Sequence, residues 1–190
     1  LKCGHTWIGD DPEQTLRYAL IGMMEADEDG VCEYESGMAG RLEQRFTLER
    51  DLEGALERGE FSYVIQPQVS TIDRSIQGGE FLIRWEHPNR GVVSPFDFID
   101  LAEQNGIIHD IGRWVLLNAL AEIDRVDANV RFSVNVSPRQ FTLDTWLPET
   151  LAMVENADVD PARIEVEITE SSVVQDLDYA RKALTALRDR

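Results

Sequence analysis

The 190-residue chain carries 36 acidic against 18 basic residues, a formal net charge of −18, and 43% hydrophobic residues, enough for one core of ordinary size. Its pI near 4.4 argues against nonspecific binding to DNA, RNA or anionic membranes, so an anionic ligand must be met by local arginines or a metal ion. The same charge excess equally serves solubility or tolerance of high salt.

Two cysteines, Cys3 and Cys32, with no CxxC and no Cys/His cluster, argue against a disulfide scaffold and a structural zinc, and fit a reducing, cytoplasmic compartment. No apolar run reaches the length of a membrane span, and "LKCGHTWIGDD" lacks a signal-peptide core. A start at Leu1 rather than Met suggests a piece of something longer.

In chain order, "DDPEQTLRYALIGMMEADEDG" predicts a helix capped by Asp11, with Pro12 at its first position, ending at Gly30. "VCEYESG" follows as a short extended piece. "MAGRLEQRFTLERDLEGALERGEF", rich in helix formers and apolar at Met38, Leu42 and Phe46, predicts one long connecting helix over 38–58. From Phe61 the texture alternates. Strands are predicted over about 61–69, 79–85, 130–136 and 163–168, and helices over about 95–105, 109–126, 144–156 and 171–188. Strand after helix after strand implies a largely parallel sheet, open or closed into a barrel. "STIDRSIQGG" is too short for a helical crossover, so the first two of these strands form an antiparallel hairpin.

Alternation along "GGEFLIRWEHP" puts Glu80, Leu82 and Arg84 on one face and Phe81, Ile83 and Trp85 on the other. In "RFSVNVSPRQF" the same rule groups Ser133, Asn135 and Ser137, and in "RIEVEITES" it groups Glu165, Glu167 and Thr169. Ionised groups near a core cost several kcal/mol each unless paired or metal-bound, on the order of the buried-ion penalty after relaxation. One strand of this kind is explained by a structural clasp of Arg84 with Glu80 or Glu165. Three strands aiming Glu80, Asn135 and Glu167 alike point instead to Mg²⁺ or Mn²⁺, which prefer hard oxygen donors. Asn135 and Glu167 also lie near the carboxyl ends of their strands, where parallel folds place ligands. His87 reads as a turn residue beside Pro88, Trp114 and Trp146 as helix packing, and Ser94-Pro95 as a capped helix start.

Taken in order, "IQPQV", "GGEFLIRWEHPNRGVVSPFDFIDLAEQNGIIHDIGRWVL", "FSVNVSPRQF" and "IEVEITESSVV" closely resemble the first half of an EAL-domain cyclic di-GMP phosphodiesterase, from about Phe46 onward. The resemblance implies a TIM-barrel-like (β/α) fold, of which about the first half is expected here, over 59–190. It also implies that Glu80, Asn135 and Glu167 ligate Mg²⁺ (or Mn²⁺), and that Arg84 holds a substrate phosphate. Gln66 and Leu82 would lie by the substrate. Glu170 matches a glutamate shaping a loop near the metals and the interface of a homodimer, and Glu80, Glu167 and Glu170 together form the catalytic carboxylate set. Residues 1–37, through "LRYALIGMMEADEDG", resemble more weakly the last helix of a GGDEF diguanylate cyclase domain, with Leu20, Met24 and Asp27 departing from its pattern. No GGDEF signature loop is present, so this segment is expected to be a degenerate tail without cyclase activity.

Two departures bear on activity. The signature reads Glu80-Phe81-Leu82, EFL rather than EAL, which is first a problem of volume in the packing layer. The family pattern also continues into an Asp-Asp-Phe-Gly-Thr-Gly stretch and a later Lys, whereas this sequence ends at "ALRDR", so about half of a metal site is expected and this segment alone is expected to be inactive. The resemblance implies hydrolysis of cyclic di-GMP to the linear dinucleotide in the complete protein. The alternatives are a cyclic di-GMP receptor that binds without cutting, and a half-barrel scaffold with no ligand.

Overall fold

The computed structural model describes residues 2–6, 11–26, 30–127, 129–169 and 177–189. Two compact units are present, Leu1–Leu52 and Glu53–Arg190.

In the first unit, β1 (Cys3–His5) and β2 (Val31–Glu33) pair in parallel, joined through α1 (Pro12–Glu25), and α2 (Met38–Leu52) packs beside α1. The Asp11 carboxylate accepts from the backbone N–H groups of Glu13 (2.9 Å) and Gln14 (3.3 Å), and Pro12 occupies the first turn, where its missing N–H is harmless. Tyr18 and Tyr34 stack with ring centroids 3.9 Å apart. Sequence periodicity misses β1, which is only three residues long. The helix expected over 38–58 stops at Leu52, because the chain turns there and Gly54 takes a left-handed φ of 71° that a helix cannot continue through.

The second unit is a mixed five-stranded sheet. Its path runs β3 (Phe61–Val69), β4 (Ile76–His87), β6 (Arg131–Val136), β7 (Ile164–Ile168), and β5 (Gly91–Val93) pairs with the far end of β4. β3 and β4 form the antiparallel hairpin, in register Gln66↔Glu80 and Ser62↔Arg84, while β4, β6 and β7 run parallel. Helices α3 (Pro95–Asn105), α4 (Ile108–Ile123), α5 (Pro138–Phe141) and α6 (Trp146–Asn156) supply the crossovers, and α7 (Leu177–Arg188) follows β7. Ser94 holds the cap position of α3, but its side chain makes no capping hydrogen bond, contrary to expectation; Pro95 alone marks the start.

The apolar strand face packs under the helices. Phe81, Trp85, Phe132 and Val134 are buried there with Phe98, Ile111, Leu116 and Leu120 from α3 and α4. Trp85 is wholly buried, and its indole N–H donates to Glu60 Oε2 at 3.0 Å. The Arg58 guanidinium beside Glu60 (2.6 Å) and this indole bond hold the Glu60 carboxyl below its usual range against the opposing effect of burial. Farther along, Phe141, Trp146, Ala180 and Ala183 pack α5, α6 and α7 together. Trp114 packs edge-on against Tyr63 (6.1 Å) and His87 accepts from the Asn89 N–H in the turn, so Trp114, Trp146 and His87 serve packing or turn roles.

The hairpin tip is tied by Asp73, whose carboxylate accepts from the Ser75 N–H (3.1 Å) and Ser75 Oγ (2.8 Å). The Ser70 hydroxyl, then the Ser75 hydroxyl and this N–H, pull its pKa from 3.8 to about 2. Since the folded pKa is depressed, the tip is tied in full above pH 4 and loosens as the pH falls toward 2. Carbon-detected NMR should place the Asp73 carboxyl midpoint near 2, and Ser75→Ala should move it up toward 3.8; an ordinary midpoint in the unaltered chain would contradict the turn geometry.

Candidate active site

Because β4, β6 and β7 are parallel and in register, their polar positions fall in rows. Glu80 stands opposite Ser133, and Ser133 opposite Glu165; one step toward the carboxyl ends, Asn135 stands opposite Glu167. Side chains at paired positions of neighbouring strands point to the same sheet face, so Glu80, Asn135 and Glu167 share it. The Asn135 Nδ2 amide donates to Glu80 Oε1 at 2.6 Å, although the two residues are 55 apart in sequence. Gln66 extends this row from β3, directly beside Glu80, and Leu82 and Arg84 follow Glu80 on the same face.

Glu80, Leu82 and Arg84 are half-buried, whereas Gln66, Asn135 and Glu167 are exposed. This corrects the expectation of ionised groups near a core: Asn135 and Glu167 are exposed, and Glu80 is only half-buried. The clasp of Arg84 with Glu80 or Glu165 is also absent. Arg84 Nη1 donates to the Ile83 carbonyl at 2.8 Å, and Glu165 pairs with Arg131 at 2.6 Å. The Arg84 guanidinium therefore keeps further donors for an anion. Glu170 lies outside the described residues.

Among the described residues no three His, Cys, Asp or Glu side chains converge as a metal site. The set brought together is two carboxylates and one amide, Glu80, Glu167 and Asn135. These are hard oxygen donors without a thiol or imidazole, and they fit a cation such as Mg²⁺, which binds through one or two carboxylates and retains several waters. For Asn135 to ligate, its amide must rotate to present Oδ1 in place of the Nδ2 that now meets Glu80.

β4 and β6 are paired only from Gly78↔Arg131 to Phe81↔Val134. Beyond that point they diverge, and a cavity of about 630 Å³ opens between Leu82 and Ile83 on one side and Asn135 and Val136 on the other, walled by α3 and α4. Its walls are chiefly apolar (Phe96, Ile99, Ile111, Val115), with Asp100 and Glu103 at α3. Asn135 and Glu167 reach this cleft, whereas Glu80, Arg84 and Gln66 do not line it; an apolar cleft with a few polar groups is the usual form of a small-molecule site. Alternation in the sequence could not find the cleft, because it depends on where two strands cease to pair.

Phe81 sits 2% exposed on the opposite face, with its ring centroid 4.8 Å from Tyr63 and 5.0 Å from Phe132. Beside it on the same strand face, Gly79 leaves room for Ile65 and Phe132, since a Cβ there would lie 2.5 Å from Ile65 Cγ2 and 3.3 Å from the Phe132 ring. The larger signature residue is thus absorbed into an aromatic layer, and Glu80 keeps its ladder partners Gln66 and Ser133.

Residues 49–190, more than half of the chain, match the EAL domain. The chain belongs to this family, with its α/β, TIM-barrel-like fold. It is 30% identical over 178 residues to the cyclic di-GMP phosphodiesterase PdeR of Escherichia coli, covering 90% of this chain and 27% of that protein. It is 32% identical over 173 residues to the bifunctional diguanylate cyclase/cyclic di-GMP phosphodiesterase MucR of Pseudomonas aeruginosa, covering 89% and 25% respectively. The structure of the PaMucR phosphodiesterase in its c-di-GMP complex superposes with a TM-score of 0.71 at 33% identity, over 75% of this chain and 60% of that one. The chain spans about a quarter of the length of the curated relatives it matches.

If Phe81 is a packed part of this layer, restoring the EAL signature with Phe81→Ala should leave a void and cost about 3–5 kcal/mol, read as a lower urea midpoint. A change below about 1 kcal/mol would show that the ring does not fill the layer.

Proposed function

We propose that the whole protein hydrolyses one phosphodiester bond of cyclic di-GMP, giving the linear dinucleotide, at Glu80 of β4 and the carboxyl ends of β6 and β7. The observation that carries this reading is the convergence of Glu80, Asn135 and Glu167 on one face, of which Asn135 and Glu167 also line the cleft, with the Arg84 guanidinium on the same strand as Glu80. Membership of the EAL family and likeness to phosphodiesterases of that name support it.

Glu80, Asn135 and Glu167 would hold Mg²⁺ (or Mn²⁺), while Arg84 offers a planar donor fork to a non-bridging phosphate oxygen. Gln66 and Leu82 line the approach to that phosphate, and Glu170 belongs to the catalytic carboxylates by its place in the motif. The cation, when bound, supplies Lewis-acid polarisation of the phosphate and activates water at neutral pH. Water oxygen forms a new bond to phosphorus, the bond from phosphorus to the ribose oxygen breaks, and the leaving oxygen takes up a proton. The residues of this chain align phosphate and nucleophile and offset charge on a substrate that the protein's overall charge of −18 would otherwise repel.

The receptor alternative rests on displacement of Glu80 by the Phe81 ring. The packing of Phe81 between Tyr63 and Phe132 favours the enzyme reading, because Glu80 stays in its ladder. Within the same proposal, residues 1–37 are a degenerate GGDEF tail, 38–58 a connecting segment and 59–190 the phosphodiesterase unit. The protein would act in the cytoplasm, in second-messenger signalling, and as a homodimer.

The test is conversion of cyclic di-GMP to the linear dinucleotide, followed by chromatography with and without Mg²⁺. Turnover should require the cation; Glu80→Gln should remove it, and Arg84→Ala should lower kcat/KM by 10²–10³, about 3–4 kcal/mol. Tight cyclic di-GMP binding with no turnover at any Mg²⁺ or Mn²⁺ concentration would replace the enzyme reading with the receptor, and absence of binding would leave only the scaffold.

A further inference from the structure

Asn135 occupies a weak point of the sheet. Pairing of β6 with β4 ends at Val134, so from Asn135 onward β6 is held by a strand on one side only, through Asn135↔Glu167 and Val136↔Ile168. The cleft opens on the other side. A side chain that must present an oxygen within a few tenths of an ångström to a cation cannot rest on a half-paired strand end alone.

Directly after this strand end comes the short helix α5, and it is locked in two ways. Ser137 Oγ accepts from the Gln140 N–H at 3.2 Å, and Gln140 Oε1 accepts from the Ser137 N–H at 3.1 Å, a reciprocal capping box. Gln140 is 4% exposed, and its amide lies against the backbone of α4 at Gly112, where a Cβ would collide with the Gln140 side chain. Arg139 adds a bond to the Glu103 carbonyl of α3 at 3.3 Å. Gly112, Asn135 and Gln140 all line the cleft. A capping box normally secures only the start of a helix. Burying one this deeply against a glycine couples the end of β6 to the body of α4.

We propose that Gln140, seated on Gly112, is a positioning residue for the reaction: it replaces the missing β4 partner beyond Val134 and fixes the backbone that carries Asn135. Neither residue touches substrate in this role. The inference rests on the reading of Asn135 as a cation ligand.

The experiment is Mn²⁺ binding to the whole protein, followed by the electron paramagnetic resonance signal of free Mn²⁺, in parallel with thermal melting. It compares the unaltered protein with Gln140→Leu, Gly112→Ala, Ser137→Ala and Gln140→Glu. Gln140→Leu and Gly112→Ala should weaken Mn²⁺ binding about tenfold or more at temperatures where each variant is still folded. Ser137→Ala, which removes one bond of the box, should weaken it less. Gln140→Glu keeps the acceptor for the Ser137 N–H and should recover much of the affinity lost in Gln140→Leu.

If the larger substitutions do not fold, the Ser137→Ala and Gln140→Glu comparison decides alone. Lower melting temperatures with Mn²⁺ affinity unchanged would overturn the inference and leave Gln140 a purely structural cap. Failure of the unaltered protein to bind Mn²⁺ would overturn the reading of Asn135, Glu80 and Glu167 on which it rests, and is distinguishable from the first outcome.

Discussion

The parallel register of β4, β6 and β7 is the constraint on which the site depends. Parallel pairing carries residues far apart in sequence to matching heights, so Glu80, Asn135 and Glu167 meet on one face without any local sequence linking them. A slip of one residue in β6 would exchange Asn135 for Val134 or Val136 and put the amide into the helix layer. The buried side of the sheet prevents this slip. Phe132 and Val134 of β6 are each at most 3% exposed, and both would have to leave the core.

The same arrangement accommodates the larger residue of the EFL signature. A strand has two faces with separate tasks, and Phe81 belongs to the packing face. Its ring packs against Tyr63 and Phe132. The opposite face carries Glu80 and Arg84. Here a change inside a motif is a packing event, and the strand stays in register.

Much of this was legible from residue alternation. The strand hairpin, the α/β alternation, the faces of Glu80, Asn135 and Glu167, and the helix starts at Asp11 and Pro95 follow from local rules that the structure obeys. What was not legible has a common physical cause. The cleft arises where β4 and β6 stop pairing, the solvent exposure of Asn135 and Glu167 depends on what covers the sheet, and the Arg131–Glu165 pair takes the partner that Arg84 was expected to share. All three are set by tertiary neighbours. The Gln140 lock lies between these cases: Ser137-x-x-Gln140 is a readable capping-box signature, but its burial against Gly112 requires the packing of α5 on α4. Helix propensity over 38–58 misled for the opposite reason, since one glycine with a left-handed φ outweighs a run of helix formers.

The most direct test of the central claim is a crystal structure of the whole protein with cyclic di-GMP and Ca²⁺, a cation of the same hard class. The account predicts a cation at about 2.3–2.6 Å from oxygens of Glu80, Asn135 and Glu167, with a ligand phosphate on the Arg84 guanidinium. A dinucleotide bound with its phosphates away from Arg84, or a cation held by other residues while these three keep their present contacts, would contradict it.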